Sequence, residues 1–136
     1  MKLIPYLNFA GNTEEALNYY QKVFSGTVHD LNRFGDMFPP EANYKDKIMH
    51  ARLEFGDNML MFSDGMPGTP VDHGNGIHLS IGLNDEAQAR SIFDQLGEGG
   101  KITMPLEVQF WGALFGQVMD KFGVSWMINC EMQASS

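Results

Sequence analysis

The order of predicted secondary-structure elements repeats once along the chain. An apolar segment at residues 3–9 predicts a strand, and a capping signal at Asn12, with Glu15 three residues later, predicts a helix over about Thr13–Phe24. Three strand patterns follow, at residues 27–34, 48–55 and 59–63. At an offset of 73 residues, which brings Pro5 onto His78, the same order of signals returns. The sequence therefore predicts two βαβββ modules that pack together to cover their sheets.

The second module is bounded as clearly as the first. A strand pattern at residues 77–83 precedes a capped helix with an apolar stripe that ends at Gly97, and strands are predicted from Lys101 onward, at 113–119 and at 124–130. Glycine and proline fill residues 65–76, which predicts a linker between module one (about 1–64) and module two (about 77–131). Each helix should cover one sheet face, so the opposite faces, including His78 and Ser80, should curve around a central hollow.

Composition excludes several classes of protein. The chain of 136 residues fits one domain, and its single cysteine, Cys130, rules out an internal disulfide and any multi-cysteine metal site. A formal charge of −8 disfavours nucleic acid and anionic membranes as partners. No apolar stretch is long enough to span a membrane and no secretory signal is evident, so we expect a cytoplasmic protein.

Several local strings, taken with the repeat, resemble a known family. They are PYLNF at residues 5–9, EEALNYY at 14–20, GDNMLMFSD at 56–64, HLSI at 78–81 and DKFGV at 120–124. Together they resemble the PhnB-like branch of the vicinal oxygen chelate superfamily, which contains glyoxalase I, extradiol dioxygenases and bleomycin resistance proteins. The resemblance covers about residues 3–129. It implies an α+β fold in which two βαβββ modules form a mostly antiparallel, partly open barrel, as a single glyoxalase-like domain over residues 1–136.

The resemblance also implies where a metal would be held. Metal-dependent members place one His or Glu on each of four strands, and those positions fall on Pro5, Met61, His78 and Met127. Proline cannot ligate and a thioether suits hard or borderline ions poorly, whereas a catalytic metal normally needs three protein ligands. We therefore expect no metal and no cofactor, with one alternative: a divalent ion held by His50 and His78 together with Glu54.

Two histidines are the candidate catalytic residues. His78 lies on the polar side of its strand and His50 shares a strand face with Arg52 and Glu54, so either imidazole could transfer protons or simply be a hydrogen-bonded structural group. The candidate ligand-binding residues are Met61, Ser80, Phe110, Trp111 and Met127. For the methionines and aromatic residues the alternative interpretation is core packing.

These features favour a protein that binds a small apolar or aromatic molecule in the hollow between the modules, with the metal quartet lost. The first alternative is a glyoxalase-type lyase or isomerase with an altered or metal-free site around His78 and His50; the second is a structural or regulatory dimer with a vestigial pocket. A methyltransferase is not expected, because no glycine-rich strand-to-helix turn suggests a nucleotide-type cofactor. The resemblance implies a homodimer, to which Phe110, Trp111 and Leu114 could contribute. Whether the modules pair within one chain or across a dimer is left open.

Overall fold

The structure, a computed structural model, describes residues 1–132 and divides into two compact units. The first unit spans Met1–Val71 and the second begins at Asp72, so the boundary falls inside the predicted linker. Each unit contains one βαβββ module with its own four-stranded sheet. The arrangement of both modules as a single domain stays a prediction.

Module one is a mixed sheet covered by one helix. Its elements are β1 (Tyr6–Asn8), α1 (Thr13–Phe24), β2 (Thr27–Arg33), β3 (Ile48–Phe55) and β4 (Asn58–Ser63), and two 3-10 turns, Gly35–Met37 and Pro40–Ala42, lie between β2 and β3. The strand order is β1-β4-β3-β2; β1 pairs with β4 in parallel, and the other two pairs are antiparallel. The buried face of α1 packs on β3 and β4, where the Phe62 ring stacks on Tyr20 and Phe9.

Module two repeats this topology. Its elements are β5 (Leu79–Leu83), α2 (Glu86–Gly97), β6 (Lys101–Val108), β7 (Ala113–Met119) and β8 (Ser125–Glu131). The strand order is β5-β8-β7-β6, again with one parallel pair and two antiparallel pairs. The α+β class and the two βαβββ modules of a glyoxalase-like fold are confirmed, with mostly antiparallel pairing inside each sheet. The strands form two separate four-stranded sheets rather than one closed barrel.

Burial alternates along the strands, because successive side chains point to opposite faces of a sheet. Ala51 and Leu53 of β3 are buried on the helix side, whereas His50, Arg52 and Glu54 are half-buried on the other side, as the sequence predicts. In β8 the buried residues Trp126 and Ile128 alternate with half-buried ones in the same way. We call the side of each sheet opposite its helix the helix-free face of that module.

Two predicted boundaries are corrected by the structure. The first strand is only Tyr6–Asn8, because Pro5 has no N–H for a ladder and Leu3 is almost fully exposed. β5 begins at Leu79 rather than 77, and Ile77 is 76% exposed. No helix among residues 1–132 is long and apolar enough to cross a membrane.

The N-terminus of α1 is capped from far along the chain. Asn12 occupies the N-cap position, as predicted, but its side chain makes no capping hydrogen bond. Instead, the buried carboxylate of Asp64 accepts hydrogen bonds from the backbone N–H groups of Gly11, Thr13 and Ile48 at 2.7–3.0 Å. One side chain therefore ties the start of α1 and the start of β3 to the end of β4.

Candidate functional site

The helix-free face of module one places polar side chains around a methionine. Met61 of β4 is the register partner of Tyr6 on the parallel strand β1 and of Arg52 on the antiparallel strand β3. Successive strands of a sheet lie about 4.8 Å apart, so these three side chains are immediate neighbours on one face. The predicted ligand-binding residue Met61 thus lies at the centre of a row that begins with Tyr6.

A chain of hydrogen bonds joins three side chains on this face. The Tyr6 hydroxyl lies 2.9 Å from His50 Nδ1, and the Ser63 hydroxyl is hydrogen-bonded to Tyr6. Ser63 Oγ in turn accepts a 2.9 Å hydrogen bond from the backbone N–H of Gly65. The Tyr6–His50 hydrogen bond fits two tautomers: the phenol donates to Nδ1 when His50 carries its proton on Nε2, and it accepts from Nδ1–H when Nε2 is unprotonated. His50, the predicted proton-transfer residue, is therefore oriented by a tyrosine.

Tyr6 remains a neutral donor at physiological pH. Burial of the phenol raises its pKa above the ordinary value of 10.0, and the hydrogen bond from Ser63 opposes that rise. The side chain is nevertheless partly open, since Tyr6 is 45% exposed. A ligand on this face would meet an accessible, protonated phenol whose orientation is fixed by His50.

A second group of side chains on β2 and β3 is joined by ion pairs. Arg52 Nε lies 2.6 Å from Asp30 Oδ2, and Arg52 Nη1 lies 3.5 Å from Glu54 Oε1. His29 Nε2 approaches the other oxygen of Glu54 at 3.3 Å. The predicted polar cluster of His50, Arg52 and Glu54 is thus divided: Arg52 and Glu54 pair with each other, and the described contacts of His50 are with Tyr6.

The predicted residues of module two lie on or beside its own helix-free face. Ser80 of β5 and Met127 of β8 are register partners, and Met127 is also opposite Gln117 of β7. His78 directly precedes β5 and is half-buried, and its side chain makes no hydrogen bond or ion pair to another residue in the range 1–132. The structure therefore brings Ser80 and Met127 together and leaves His78 without a described partner.

The aromatic candidates occupy the β6–β7 hairpin. Phe110 is 98% exposed and Trp111 is 51% exposed, and their rings meet edge to face with centroids 5.0 Å apart. The Trp111 ring also packs edge to face against the Phe115 ring on β7, with 5.8 Å between the ring centroids. Leu114, which was predicted to share a dimer contact with them, is fully buried beneath α2 and is unavailable to a partner in this conformation. That part of the prediction is wrong because Leu114 falls on the helix side of β7.

The donor set at the superfamily's metal positions does not fit a hard or borderline divalent ion. Pro5 offers only its backbone carbonyl, which already accepts a hydrogen bond from the Met61 N–H, and Met61 and Met127 offer thioethers. Within residues 1–132, no group of three or more His, Cys, Asp or Glu side chains is arranged to hold a metal ion. Glu54, the carboxylate of the alternative metal site, is engaged with His29 and Arg52.

Sequence analysis missed three participants on the face of module one. Tyr6 was read as part of an apolar strand, although its alternation with buried Leu7 was a usable signal for the opposite face. Ser63 and Asp30 carried no signal, because their roles depend on strand pairing and on a backbone conformation at Asp30 with φ +51°. Trp126 and Cys130 are buried, as predicted, and burial is the main cause that raises the pKa of the Cys130 thiol.

Comparison with known proteins gives consistent matches over nearly the whole chain. The model of the family described as 3-demethylubiquinone-9 3-methyltransferase matches residues 1–129. The protein YjdN of Escherichia coli strain K12 is 35% identical, and the alignment covers 98% of this chain and 97% of that protein. The crystal structure of protein PA1353 from Pseudomonas aeruginosa is 44% identical with a TM-score of 0.86, covering 98% of this chain and 99% of that one.

A more distant solved structure shares the fold. A PhnB protein from Bacillus cereus, whose description also names a 3-demethylubiquinone-9 3-methyltransferase, has a TM-score of 0.79 at 24% identity, and the match covers 98% of this chain and all of that chain. The family match, the relatives and the shared topology agree with the resemblance drawn from the sequence. This chain belongs to the family described as 3-demethylubiquinone-9 3-methyltransferase, in the PhnB-like branch of the vicinal oxygen chelate superfamily.

Proposed function

We propose that this chain is a small-molecule-binding protein, and that the helix-free face of module one takes a small aromatic or apolar molecule with one hydrogen-bonding group. The observation that carries the proposal is the 2.9 Å hydrogen bond between Tyr6 and His50 beside Met61. Small-molecule sites combine apolar walls with a few fixed polar groups, and a thioether packs well against aromatic rings. The ring of Tyr6 and the side chain of Met61 supply the wall, and the Tyr6–His50 pair supplies the polar groups.

The charges on this face favour a neutral ligand over an anion. The one arginine of the face, Arg52, is 27% exposed and is already held by Asp30 and Glu54. An anion would have to compete with these two carboxylates for that guanidinium, since Asp30 Oδ2 lies 2.6 Å and Glu54 Oε1 lies 3.5 Å from its nitrogens. We therefore infer a ligand whose polar group is a hydroxyl or carbonyl, which the phenol and the imidazole can bind without a net charge.

The contribution of module two remains at the level of the sequence prediction. The sequence prediction assigns five residues of module two to the same hollow as Met61 and His50. These five are His78, Ser80, Met127, Phe110 and Trp111. The pairing of Ser80 with Met127 on one face supports keeping these two residues together as a set. The hollow itself stays a prediction, and the loss of the metal quartet is part of the proposal rather than a finding.

A matched pair of probes tests the proposed face. Isothermal titration with p-cresol and with 4-methylanisole compares two ligands that differ in one hydroxyl donor. We expect p-cresol to bind about fivefold more tightly, which corresponds to one net hydrogen bond of about 1 kcal/mol. Tyr6→Phe and His50→Gln should reduce that preference, whereas Tyr19→Phe, which removes a phenol from helix α1, should leave it unchanged. Absence of binding, or an unchanged preference in both site variants, would overturn the proposal.

A second candidate function is favoured by the same hydrogen-bond chain. In a metal-free isomerase, His50 with its proton on Nδ1 would take a proton at the free Nε2 from the carbon beside a carbonyl and return it to the carbonyl carbon. The substrate's hydroxyl proton passes to the former carbonyl oxygen, so no further reactant is needed. Ser63 and Tyr6 fix the imidazole for such a transfer. Deuterium exchange into hydroxyacetone in D₂O, followed by NMR, tests this alternative: exchange above buffer that disappears in His50→Gln supports it, and no exchange leaves the binding function alone.

Metal analysis separates both functions from a metal-dependent enzyme. The protein purified without chelators should carry no stoichiometric divalent ion. A bound ion that is lost in His78→Ala would contradict the proposal and restore the alternative site of His50, His78 and Glu54. The methyl transfer named in the family's description is not part of the proposal, because the β1–α1 turn holds only Gly11 rather than the glycine-rich pattern of nucleotide-type cofactor sites.

We also propose that the chain forms a homodimer through the β6 side of module two. β6 is an edge strand with exposed Ile102 and Val108, and the adjoining hairpin exposes Phe110 and Trp111. Val108, Phe110 and Trp111 lie within four residues of one another, and exposed apolar side chains grouped at an edge strand and its hairpin are typical of an interaction surface. Light scattering after gel filtration should give a dimer mass for the native chain and a monomer mass for a Phe110→Ser, Trp111→Ser variant.

A further inference from the structure

The backbone and the neighbouring described residues do not explain why one position in module two is a glycine. Gly82 lies inside strand β5, where a glycine costs about 0.5–1 kcal/mol relative to alanine. Its φ is outside the left-handed region, and a Cβ added to it would meet no atom within 4 Å. Gly116 in β7 is different, since a Cβ there would lie 2.8 Å from the Phe93 ring. Glycine within a strand often marks close approach by a ligand or another backbone.

The space above Gly82 is part of a cleft. Gly82 and Leu83 of β5, Asn84 of the β5–α2 turn, and Asn129 and Glu131 of β8 line a volume of about 340 Å³. Gly82 and Asn129 are register partners, so the missing side chain exposes the neighbouring amide. A cleft of this volume lies within the range that small molecules occupy.

The polar groups of this cleft are unused within the described part of the chain. The side chains of Asn84, Asn129 and Glu131 form no hydrogen bond or ion pair with another residue between 1 and 132, and Asn129 is half-buried. Asn84 and Glu131 are exposed and Asn129 is half-buried, so all three side chains can offer their polar groups to a ligand from solvent. Two carboxamide oxygens and a carboxylate together offer several acceptors to that partner.

The electrostatic surroundings of the cleft are negative. None of the lining residues is basic, and the neighbouring Arg90 is paired with Glu86 at 3.2 Å. The positive end of α2 is already compensated, because the Asp85 carboxylate accepts the backbone N–H of Gln88 and Glu86 lies in the first turn. The pKa of the adjacent Cys130 thiol is raised by burial first and by the carboxylates of Glu86, Asp85 and Glu131 in addition, and the Arg90 guanidinium opposes this rise. Three carboxylates against one guanidinium agree with a local excess of negative charge.

We propose that this cleft is a second binding site, for a small organic cation of the amine or amidine class. Glu131 pairs with the cationic group, Asn84 and Asn129 accept its remaining N–H donors, and the flat part of the ligand lies over Gly82. The residues that line the site all belong to module two, and Gly82 and Asn129 lie on its helix-free face, one register pair beyond Ser80 and Met127. The proposal goes beyond the proposed function because it assigns a cationic ligand to this face.

Benzamidinium is a suitable probe, and neutral benzamide, of the same shape, is its matched comparison. Titration followed by ¹H–¹⁵N NMR should show benzamidinium at least fivefold tighter than benzamide, with shifts of the Asn84 and Asn129 side-chain amides. Added NaCl should weaken the binding of benzamidinium, because exposed ion pairs are screened. Equal affinity for the two probes, or shifts that avoid both amides, would overturn the proposal.

Substitutions in the cleft separate the contribution of the open volume above Gly82 from that of the Glu131 carboxylate. Gly82→Val should fill the cleft and weaken benzamidinium binding at least tenfold, while the melting temperature stays equal or rises, because valine favours strands. Gly82→Ala is the smaller version of the same change. Glu131→Gln should weaken binding about fivefold, whereas Glu98→Gln, at the far end of α2, should leave it unchanged. A large fall in melting temperature in both Gly82 variants would show a structural need for the glycine and refute the argument.

Discussion

Replacement of Asp64 by alanine should lower the free energy of unfolding of module one by about 3–5 kcal/mol. The Asp64 carboxylate is 2% exposed and accepts three backbone hydrogen bonds, from Gly11, Thr13 and Ile48. Alanine would leave all three donors without a protein partner, and the hydrogen bonds from Thr13 and Ile48 are buried. The loss also removes the cap of α1, because the Asn12 side chain does not supply one.

The magnitude follows from the cost of unpaired buried donors. Each buried N–H that loses its partner costs about 1–3 kcal/mol, and partial access of water to Gly11 keeps the sum well below the maximum. Asp64→Asn retains one carbonyl oxygen, so it can still accept the bonds from Gly11 and Thr13 and should cost about 1–2 kcal/mol. The expected order of stability is therefore wild type, then Asp64→Asn, then Asp64→Ala.

Urea denaturation measures this series, and hydrogen exchange at the Ile48 amide reports the local effect. Asp57→Ala is the matched control, because Asp57 is an exposed residue of the β3–β4 turn, and it should change stability by less than about 0.5 kcal/mol. If Asp64→Ala costs less than about 1 kcal/mol, or if Ile48 exchange is unaffected, the three-way anchoring by this carboxylate is refuted.

Three further predictions concern the side chains of Asp120, Cys130 and Tyr6. Asp120→Asn should lower the free energy of unfolding by about 1–2 kcal/mol and shift the emission maximum of Trp126, because the Asp120 carboxylate accepts a hydrogen bond from the indole N–H at 2.8 Å. An unchanged emission spectrum would contradict that contact. Native Cys130 should react with Ellman's reagent about 100-fold more slowly than the denatured chain, since burial raises its thiol pKa, and rapid native labelling would refute its burial. The Tyr6 phenol should ionise above pH 10.0, because its pKa is raised in the folded protein. Its contribution to stability is therefore complete below the pKa of an unfolded tyrosine and is lost as pH rises through the folded pKa. Absorbance at 295 nm should show this ionisation step in the native chain and lose it in Tyr6→Phe, and a step below pH 10.0 would contradict the shift.

Local signals explain why the helices and most strands were predictable. The bounds of α1 agree with the prediction because an N-cap position, an acidic first turn and an apolar stripe are all encoded within twelve residues. The alternation along β3 was equally readable. Pro5 and Ile77 were misplaced because a hydrophobic run does not show where ladder hydrogen bonds begin.

Long-range pairing explains what the sequence could not predict. Asp64 caps a helix that begins 51 residues earlier, and nothing near Thr13 indicates it. The contact between Tyr6 and His50 depends on parallel pairing of β1 with β4 and antiparallel pairing of β4 with β3. The choice of His50 and Met61 as site residues came from strand alternation and from the family resemblance, and their roles in binding stay predictions.

Methionine-methyl NMR tests the proposed site on module one most directly. The chain contains ten methionines, which gives a reporter on each module, and Met59 and Met61 lie on β4. With ¹³C-methyl-methionine labelling and addition of p-cresol, we predict a saturable shift of the Met61 methyl signal that is lost in His50→Gln. A Met61 signal that stays unmoved at saturating p-cresol would contradict the account.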